Sequence, residues 1–174
     1  MEKQEIIIKL KENHKSLVDY ILALPDEEFI QHLPEKWSAG QQLDHIFRSV
    51  KPVTMAFGLP VFVLRILFGK SNRPGRSFDE LVKKYTSKLA AGGVASGRFI
   101  PKAVGVTDRL NLTKSLILNV GKLCFLMEKY TDHELDTFIL PHPLLGKLTL
   151  REMLYFTIYH AEHHLDLTKR NLIG

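Results

Sequence analysis

The stretch "TLREMLYFTIYHAEHHLDLTKR", residues 149–170, predicts one long amphipathic helix and decides the fold class. A capping box marks its start, because the hydroxyl of Thr149 can accept from the amide of Glu152 while the Glu152 side chain reaches back. At about 100° per residue, an apolar arc then runs along one side of the helix. His160 and His164 lie on this arc, so both are expected to face the core of a helical domain.

The histidines of this stretch differ in position. His163 lies about 60° from His160, at the edge of the apolar arc. The i, i+4 spacing of His160 and His164 lets two imidazoles approach one metal ion from successive turns. Such a pair also occurs as a hydrogen-bonded core pair, so a metal site needs a third ligand.

Periodicity does not settle the third ligand. The candidates are His14, His32, His45, His133 and His142. His14 occupies the apolar seam of the first predicted helix, whereas His45 lies about 130° from the centre of the aliphatic arc of its helix. The residues alone therefore leave open both a His14 site and a polar pocket along the helix that carries His45.

Outside the opening stretch the patterns predict further helices and no convincing strand. Long helices are predicted over 3–24, from 39 to about 55 and over 108–130, and a shorter one over 78–90. Capping boxes of Ser38 with Gln41 and of Ser77 with Glu80 mark the starts of the second long helix and of the shorter one. The apolar run 58–69 predicts a short buried helix, and 131–148 an extended loop. The fold class is therefore all-α, a four-helix bundle with additional short helices in the middle of the chain.

Length and composition predict one domain that spans residues 1–174. The chain has 174 residues and 45% hydrophobic content. Its single cysteine cannot form an internal disulfide, and the N-terminal residues mix charges with apolar positions, so a cytoplasmic location is expected. The run 58–69 contains Arg65 and is shorter than the roughly 20 residues that cross a bilayer, so no membrane is expected. Its apolar character leaves a homodimer as a further expectation.

Positive charge is concentrated between Arg65 and Arg109, where ten lysines or arginines accompany three acids. A solvated basic face is the simplest interpretation. No nucleic acid is expected, because the segment has few aromatic residues for base stacking and no reader motif. A third interpretation is a positive rim, formed by Arg73, Arg76 and Arg98, that attracts an anionic small molecule.

Two motifs carry a resemblance to a known family. They are "KWSAGQQLDHI", residues 36–46, and "HPLLGKLTLREMLYFTIYHAEHH", residues 142–164. With them the chain resembles the DinB/YfiT-like superfamily, and in particular its DinB-like metalloenzymes. The resemblance implies an up-down-down-up bundle that holds a divalent metal through three histidines, here His45, His160 and His164. The family often has Gln three residues beyond the last ligand, whereas this chain has Leu167.

Three neutral imidazoles leave the charge of a metal ion uncompensated and leave coordination positions open, as in catalytic sites. Zinc and nickel are the expected metals. The resemblance favours a transferase that uses a low-molecular-weight thiol and an anionic or electrophilic small molecule. The alternative is a non-catalytic metal- or ligand-binding helical bundle.

No catalytic residue beyond the three ligands is assigned from the sequence. Several polar side chains are candidates to line the pocket or to support the ligands through hydrogen bonds. These candidates are His14, Gln41, Ser49, Thr157 and His163.

Overall fold

The computed structural model describes residues 1–173, and for residue 173 it describes only the backbone. The described part of the chain forms eight helices and one hairpin. They are α1 (Lys3–Ala23), α2 (Asp26–Ile30), α3 (Ala39–Phe57), α4 (Val61–Phe68), α5 (Phe78–Ala90), α6 (Val106–Glu128), α7 (Asp132–Thr137), β1 (Ile139–His142), β2 (Gly146–Thr149) and α8 (Leu150–Ile173). A single turn of 3₁₀ helix, Gly97–Phe99, lies between α5 and α6.

The four long helices α1, α3, α6 and α8 form an up-down-down-up bundle. Around the bundle, α1 contacts α6, α6 contacts α3, α3 contacts α8, and α8 returns to α1. Hydrogen bonds fix the helix directions: α8 runs parallel to α1, and α6 runs antiparallel to α1 and parallel to α3. The bonds that show this join Arg151 to Met1, Asn13 to Glu162, Lys3 to Tyr130, Arg109 to Leu24, Thr54 to Asn119 and Tyr130 to Phe57. The predicted fold class is confirmed.

Capping boxes begin three of the helices where the sequence predicts them. At α3 the hydroxyl of Ser38 accepts from the amide of Gln41, and the Gln41 side chain accepts from the Ser38 amide. Equivalent reciprocal bonds begin α5 at Ser77 and α8 at Thr149. Each box satisfies backbone amides that have no partner inside the helix, so these helix starts are set locally.

The structure corrects two of the predicted segments. The segment predicted as an extended loop contains α7 and an antiparallel hairpin, in which Ile139 pairs with Thr149 and His142 with Gly146. The run 58–69 does contain a short helix, α4, but only Leu64 of that helix is buried. Phe62 and Ile66 are 65% and 76% exposed, so the prediction of a buried helix is wrong.

Apolar side chains of all four long helices meet in one core. By length and composition α6 could span a membrane, as could α3 and α4 together across their 114° bend. The core helix of a globular domain passes the same test, and Leu116, Val120 and Leu123 of α6 are buried in the bundle. α5 lies outside the bundle and packs on α8, which places Tyr85 beside the histidine stretch.

Candidate metal centre

Three histidine side chains converge between α3 and α8. Nε2 of His160 lies 3.1 Å from Nε2 of His45 and 3.0 Å from Nε2 of His164. The three rings are buried, with 4–5% of each residue exposed. One ligand atom from each residue lies within 4.8 Å of the others, so the cluster could hold a metal ion.

Hydrogen bonds on the far side of two rings fix which nitrogen carries the proton. Nδ1 of His45 lies 2.7 Å from the carbonyl oxygen of Phe99, and Nδ1 of His164 contacts the side-chain oxygen of Gln42. Because these oxygens only accept, each Nδ1 must donate an N–H. The Nε2 atoms of His45 and His164 therefore present lone pairs toward the centre of the cluster, as metal ligands do.

This donor set fits a divalent metal. A proton on Nε2 of His160 could satisfy one of the two neighbouring lone pairs, but it could not satisfy both. A cation bound by all three nitrogens satisfies every lone pair. Tetrahedral zinc with Zn–N bonds of about 2.0–2.1 Å separates its nitrogens by about 3.3 Å, a few tenths of an ångström more than the observed separations.

Burial keeps the cluster in the neutral form that metal binding requires. It lowers the pKa of His160 and of His164 well below the usual value, and the imidazoles of His45 and His163 lower it further in both cases. Burial also lowers the pKa of His45, although its bond to Phe99 opposes the shift. A neutral imidazole is the form that binds metal, so these shifts favour metal over protons.

Aromatic rings cover two sides of the cluster. The ring of Trp37 lies 4.9 Å from that of His45 and stacks at 6.1 Å on that of His164. On the other side, the ring of Phe156 stacks at 4.5 Å on that of His160. Both aromatic residues limit the access of water to the three nitrogens.

A buried carboxylate holds the loop that supplies the Phe99 carbonyl. The side chain of Asp44 accepts from the backbone amide of Lys102 at 2.7 Å and from Arg48 at 2.5 Å. Arg48 also donates to the carbonyl of Arg98. These bonds attach the loop to α3 next to His45. They therefore hold the Phe99 carbonyl in position to accept from Nδ1 of His45.

The DinB superfamily model matches residues 9–167, which include all three histidines and nearly the whole bundle. No curated protein matches the chain. The chain belongs to the DinB superfamily. The resemblance inferred from the two motifs is thereby confirmed, and the DinB fold brings together His45, His160 and His164 as the resemblance implied.

The polar residues expected to support the histidines of this DinB site bond to backbone groups instead of to the imidazole rings. Gln41 is occupied by the capping box, and its neighbour Gln42 contacts His164 instead. Ser49 donates to the carbonyl of His45 at 2.9 Å, and Thr157 donates to the carbonyl of Met153 at 2.8 Å. The sequence signal for Gln42 is its place one turn before His45, which sets both on one side of α3.

His163 and His14, the two other histidines expected to line the pocket, are not part of the three-histidine cluster. His163 is half-buried and contacts the rings of Tyr85, Tyr159 and His164. His14 is fully buried in α1, where Nδ1 donates to the carbonyl of Leu10 at 2.7 Å. Nε2 of His14 has no hydrogen-bond partner in the described part of the chain.

The three arginines proposed as an anion-attracting rim do not lie together. Arg73 and Arg76 both bind the buried carboxylate of Glu152, in the first turn of α8. Arg98 is exposed at the edge of the cavity beside His45, with its guanidinium 5.1 Å from the Phe99 ring centroid. One arginine of the predicted rim therefore lies near the cluster, and two stabilise the start of a helix.

Two pockets adjoin the histidine cluster of this DinB domain. A cavity of about 210 Å³ opens beside His45 and His160, and its wall is mostly apolar. The second pocket lies on the side of His164 and is lined by Trp37, Gln42 and His163 among others. His45 and Tyr85 line both pockets, so the pockets adjoin each other as well as the cluster.

Proposed function

We propose that this protein is a metal-dependent transferase that joins a low-molecular-weight thiol to an electrophilic small molecule. The buried convergence of three Nε2 atoms carries the proposal, because it supplies three neutral imidazoles to a metal such as zinc or nickel. The resemblance to thiol-using DinB-like enzymes supports the thiol, and the two adjoining pockets beside the cluster support two substrates.

A zinc or nickel ion with three neutral protein ligands retains its positive charge and lowers the pKa of a thiol or water that binds it. The residues of the chain hold the ligands and the substrates. Phe99 and Gln42 fix the imidazole orientations through Nδ1, while Trp37 and Phe156 exclude water.

In the proposed reaction the thiol sulfur bonds to the electrophilic carbon of the second substrate. The bond from that carbon to its leaving group breaks, and the leaving group departs with the electron pair. The thiol proton goes to solvent. The two pockets would place sulfur and carbon near each other, which is an effect of proximity.

Metal analysis of purified variants tests the site. His45→Ala, His160→Ala and His164→Ala should each lose most of the bound metal, because two imidazoles of a three-imidazole site bind far more weakly. The matched control is His163→Ala, which removes a neighbouring imidazole on the same helix and should retain metal. Loss of metal from His163→Ala with retention in His164→Ala would reject the ligand set.

Binding of a thiol to the metal is tested on cobalt-loaded protein, because its absorption spectrum reports changes in metal coordination. Addition of 2-mercaptoethanol should change the spectrum of the wild-type protein and of His163→Ala. A spectrum unchanged by 2-mercaptoethanol, azide or cyanide would show a closed site. That result would favour the non-catalytic metal-binding bundle over the transferase.

A further inference from the structure

The apolar cavity, lined among others by Val53, Ala56, Phe68, Leu89, Leu140 and Phe156, offers a ligand very little charge. Among all its lining residues only Arg98 has a fixed charge, and that side chain is exposed at the rim. A buried anion or cation needs a partner inside, or its desolvation is not compensated. Away from the proposed metal and from Arg98, the side chains of the wall therefore favour a neutral group over a charged one.

The size of the cavity limits the molecule further. Its volume is about 210 Å³. An engineered apolar cavity of about 150 Å³ holds benzene, so this one accommodates a single ring or a short chain with a few additional atoms. Its location against His45 and His160 places such a molecule next to the proposed metal.

His142 adds a hydrogen-bond donor to this apolar wall. It ends β1, and its Nδ1 accepts from the backbone amides of Leu144 and Leu145, both at 3.1 Å. A nitrogen that accepts two hydrogen bonds carries the lone pair, so the proton of this ring is on Nε2. Nε2 has no hydrogen-bond partner in the described part of the chain, and His142 lines the cavity.

The position of the His142 ring is fixed by packing. Its centroid lies 4.2 Å from that of Phe156, whose ring in turn stacks on His160. The Nε2–H donor is therefore held on the same side of α8 as the histidine cluster. Ser49, another polar residue of the wall, already donates its hydroxyl proton to the carbonyl of His45.

We propose that the cavity binds a neutral substrate with an apolar ring or short chain and a carbonyl-type oxygen, and that this oxygen accepts a hydrogen bond from Nε2 of His142. This inference rests on the proposed function only in calling the ligand a substrate of the metal site. The binding itself depends on the cavity and on His142.

Two probes of nearly equal size test the inference, 4-fluoroacetophenone and 1-ethyl-4-fluorobenzene. They differ in the carbonyl oxygen, and fluorine NMR titration of the full-length protein measures the affinity of each. His142→Asn keeps a side-chain oxygen that can accept from the amides of Leu144 and Leu145, but it lacks the Nε2 donor. The ratio of ketone affinity to hydrocarbon affinity should fall about fivefold, the value of one hydrogen bond of about 1 kcal/mol.

A matched pair on α3 tests the location. Ala56→Phe fills the cavity and should abolish binding of both probes, whereas Met55→Phe changes an exposed neighbour outside the cavity and should leave both affinities unchanged. Circular dichroism checks folding. If His142→Asn unfolds, His142→Ser provides a shorter acceptor for the same amides and the same comparison.

The outcomes separate this inference from the proposed function. Binding of both probes to Ala56→Phe with unchanged affinity would overturn the cavity as the site. An unchanged affinity ratio in His142→Asn would overturn the role of His142 as donor. Metal content is measured on the same samples: stoichiometric metal without probe binding rejects the inference alone, whereas probe binding to a protein that never retains metal rejects the proposed function alone.

Discussion

Gln41 and Gln42 are neighbours on α3, yet they serve different parts of the molecule. Gln41 closes the capping box with Ser38, whereas Gln42 is buried and accepts from Nδ1 of His164. A hydrogen bond to the distal nitrogen of a ligand histidine fixes the ring and increases its basicity. The pair therefore offers a matched comparison between a helix start and a histidine of the candidate metal centre.

Replacement of Gln42 should weaken metal binding. Gln42→Ala removes the acceptor for Nδ1–H of His164, and the affinity for zinc should fall about 10- to 100-fold, as measured by competition with a chromogenic chelator. Gln41→Ala should leave the affinity unchanged and lower the unfolding midpoint slightly through loss of the capping box. Equal zinc affinities in the two variants would contradict the role given to Gln42.

The sequence identified two of the three clustered histidines from helical geometry and the third only by resemblance. His160 and His164 lie on the apolar arc of α8, so periodicity finds them. His45 lies off the aliphatic arc of α3, because α3 also buries a polar face on which Gln42 and His45, one turn apart, meet the histidines of α8. Apolar periodicity detects a face that meets the core, but it does not detect a polar face that meets a buried site.

Helix starts were predictable at the scale of single elements because capping is local. Thr149 and Glu152 make the bonds that the sequence predicts, and so do the boxes of α3 and α5. The hairpin was missed because Pro141 and Pro143 lie in it, and prolines usually indicate a loop. Its strands depend on pairing between 139–142 and 146–149 and on packing against α8, which no short window contains.

Glu152 connects the start of α8 to the loop that contains Arg73 and Arg76. The capping-box spacing in the sequence does not predict this connection. The Glu152 carboxylate accepts twice from Arg73 at 2.7 Å and once from the amide of Arg76 at 2.8 Å, in addition to closing the capping box. Burial alone would raise the pKa of Glu152, but these bonds hold it below its usual range. The side chain is therefore a buried anion that two cations and backbone amides stabilise.

Glu152→Gln should destabilise the fold although glutamine can still close a capping box. Loss of the charge leaves Arg73 and Arg76 without their anion, at a cost of about 2 kcal/mol because both guanidinium groups are partly exposed. Urea unfolding measures this change. Glu80→Gln is the control, since Glu80 occupies the same place in an exposed capping box, and its unfolding midpoint should change less than that of Glu152→Gln.

At the scale of the whole molecule, the bundle topology assembles the site from distant parts of the chain. α3 and α8 are antiparallel, which brings His45 opposite His160 and Gln42 opposite His164. The resemblance implied this topology, whereas periodicity gave only the helices. The loop around Phe99 is placed by Asp44 and Arg48, and its position follows from tertiary contacts that helix patterns do not encode.

Acid should lower the free energy of unfolding of the whole domain. The contribution of His14 to this change can be measured separately, because His14 lies away from the histidine cluster. Burial lowers the pKa of His14 from 6.5 to about 4, although its bond to Leu10 opposes the shift. Between these two values the unfolded chain binds a proton that the folded chain does not bind. The free energy of unfolding is therefore unaffected by His14 protonation above pH 6.5 and decreases as the pH falls toward 4. At pH 5 the decrease that His14 causes is about 2 kcal/mol.

His14→Leu replaces the imidazole, whose Nε2 is buried without a partner, by an apolar side chain of similar size. The free energy of unfolding, measured with urea, should rise by about 1 kcal/mol at pH 7.5, because an unsatisfied polar atom is removed. At pH 5 the advantage over wild type should grow to about 3 kcal/mol, because the variant no longer has this titrating group. An advantage that is equal at both pH values would show that His14 does not titrate on unfolding. The metal content should equal that of wild type, since His14 lies outside the cluster of His45, His160 and His164.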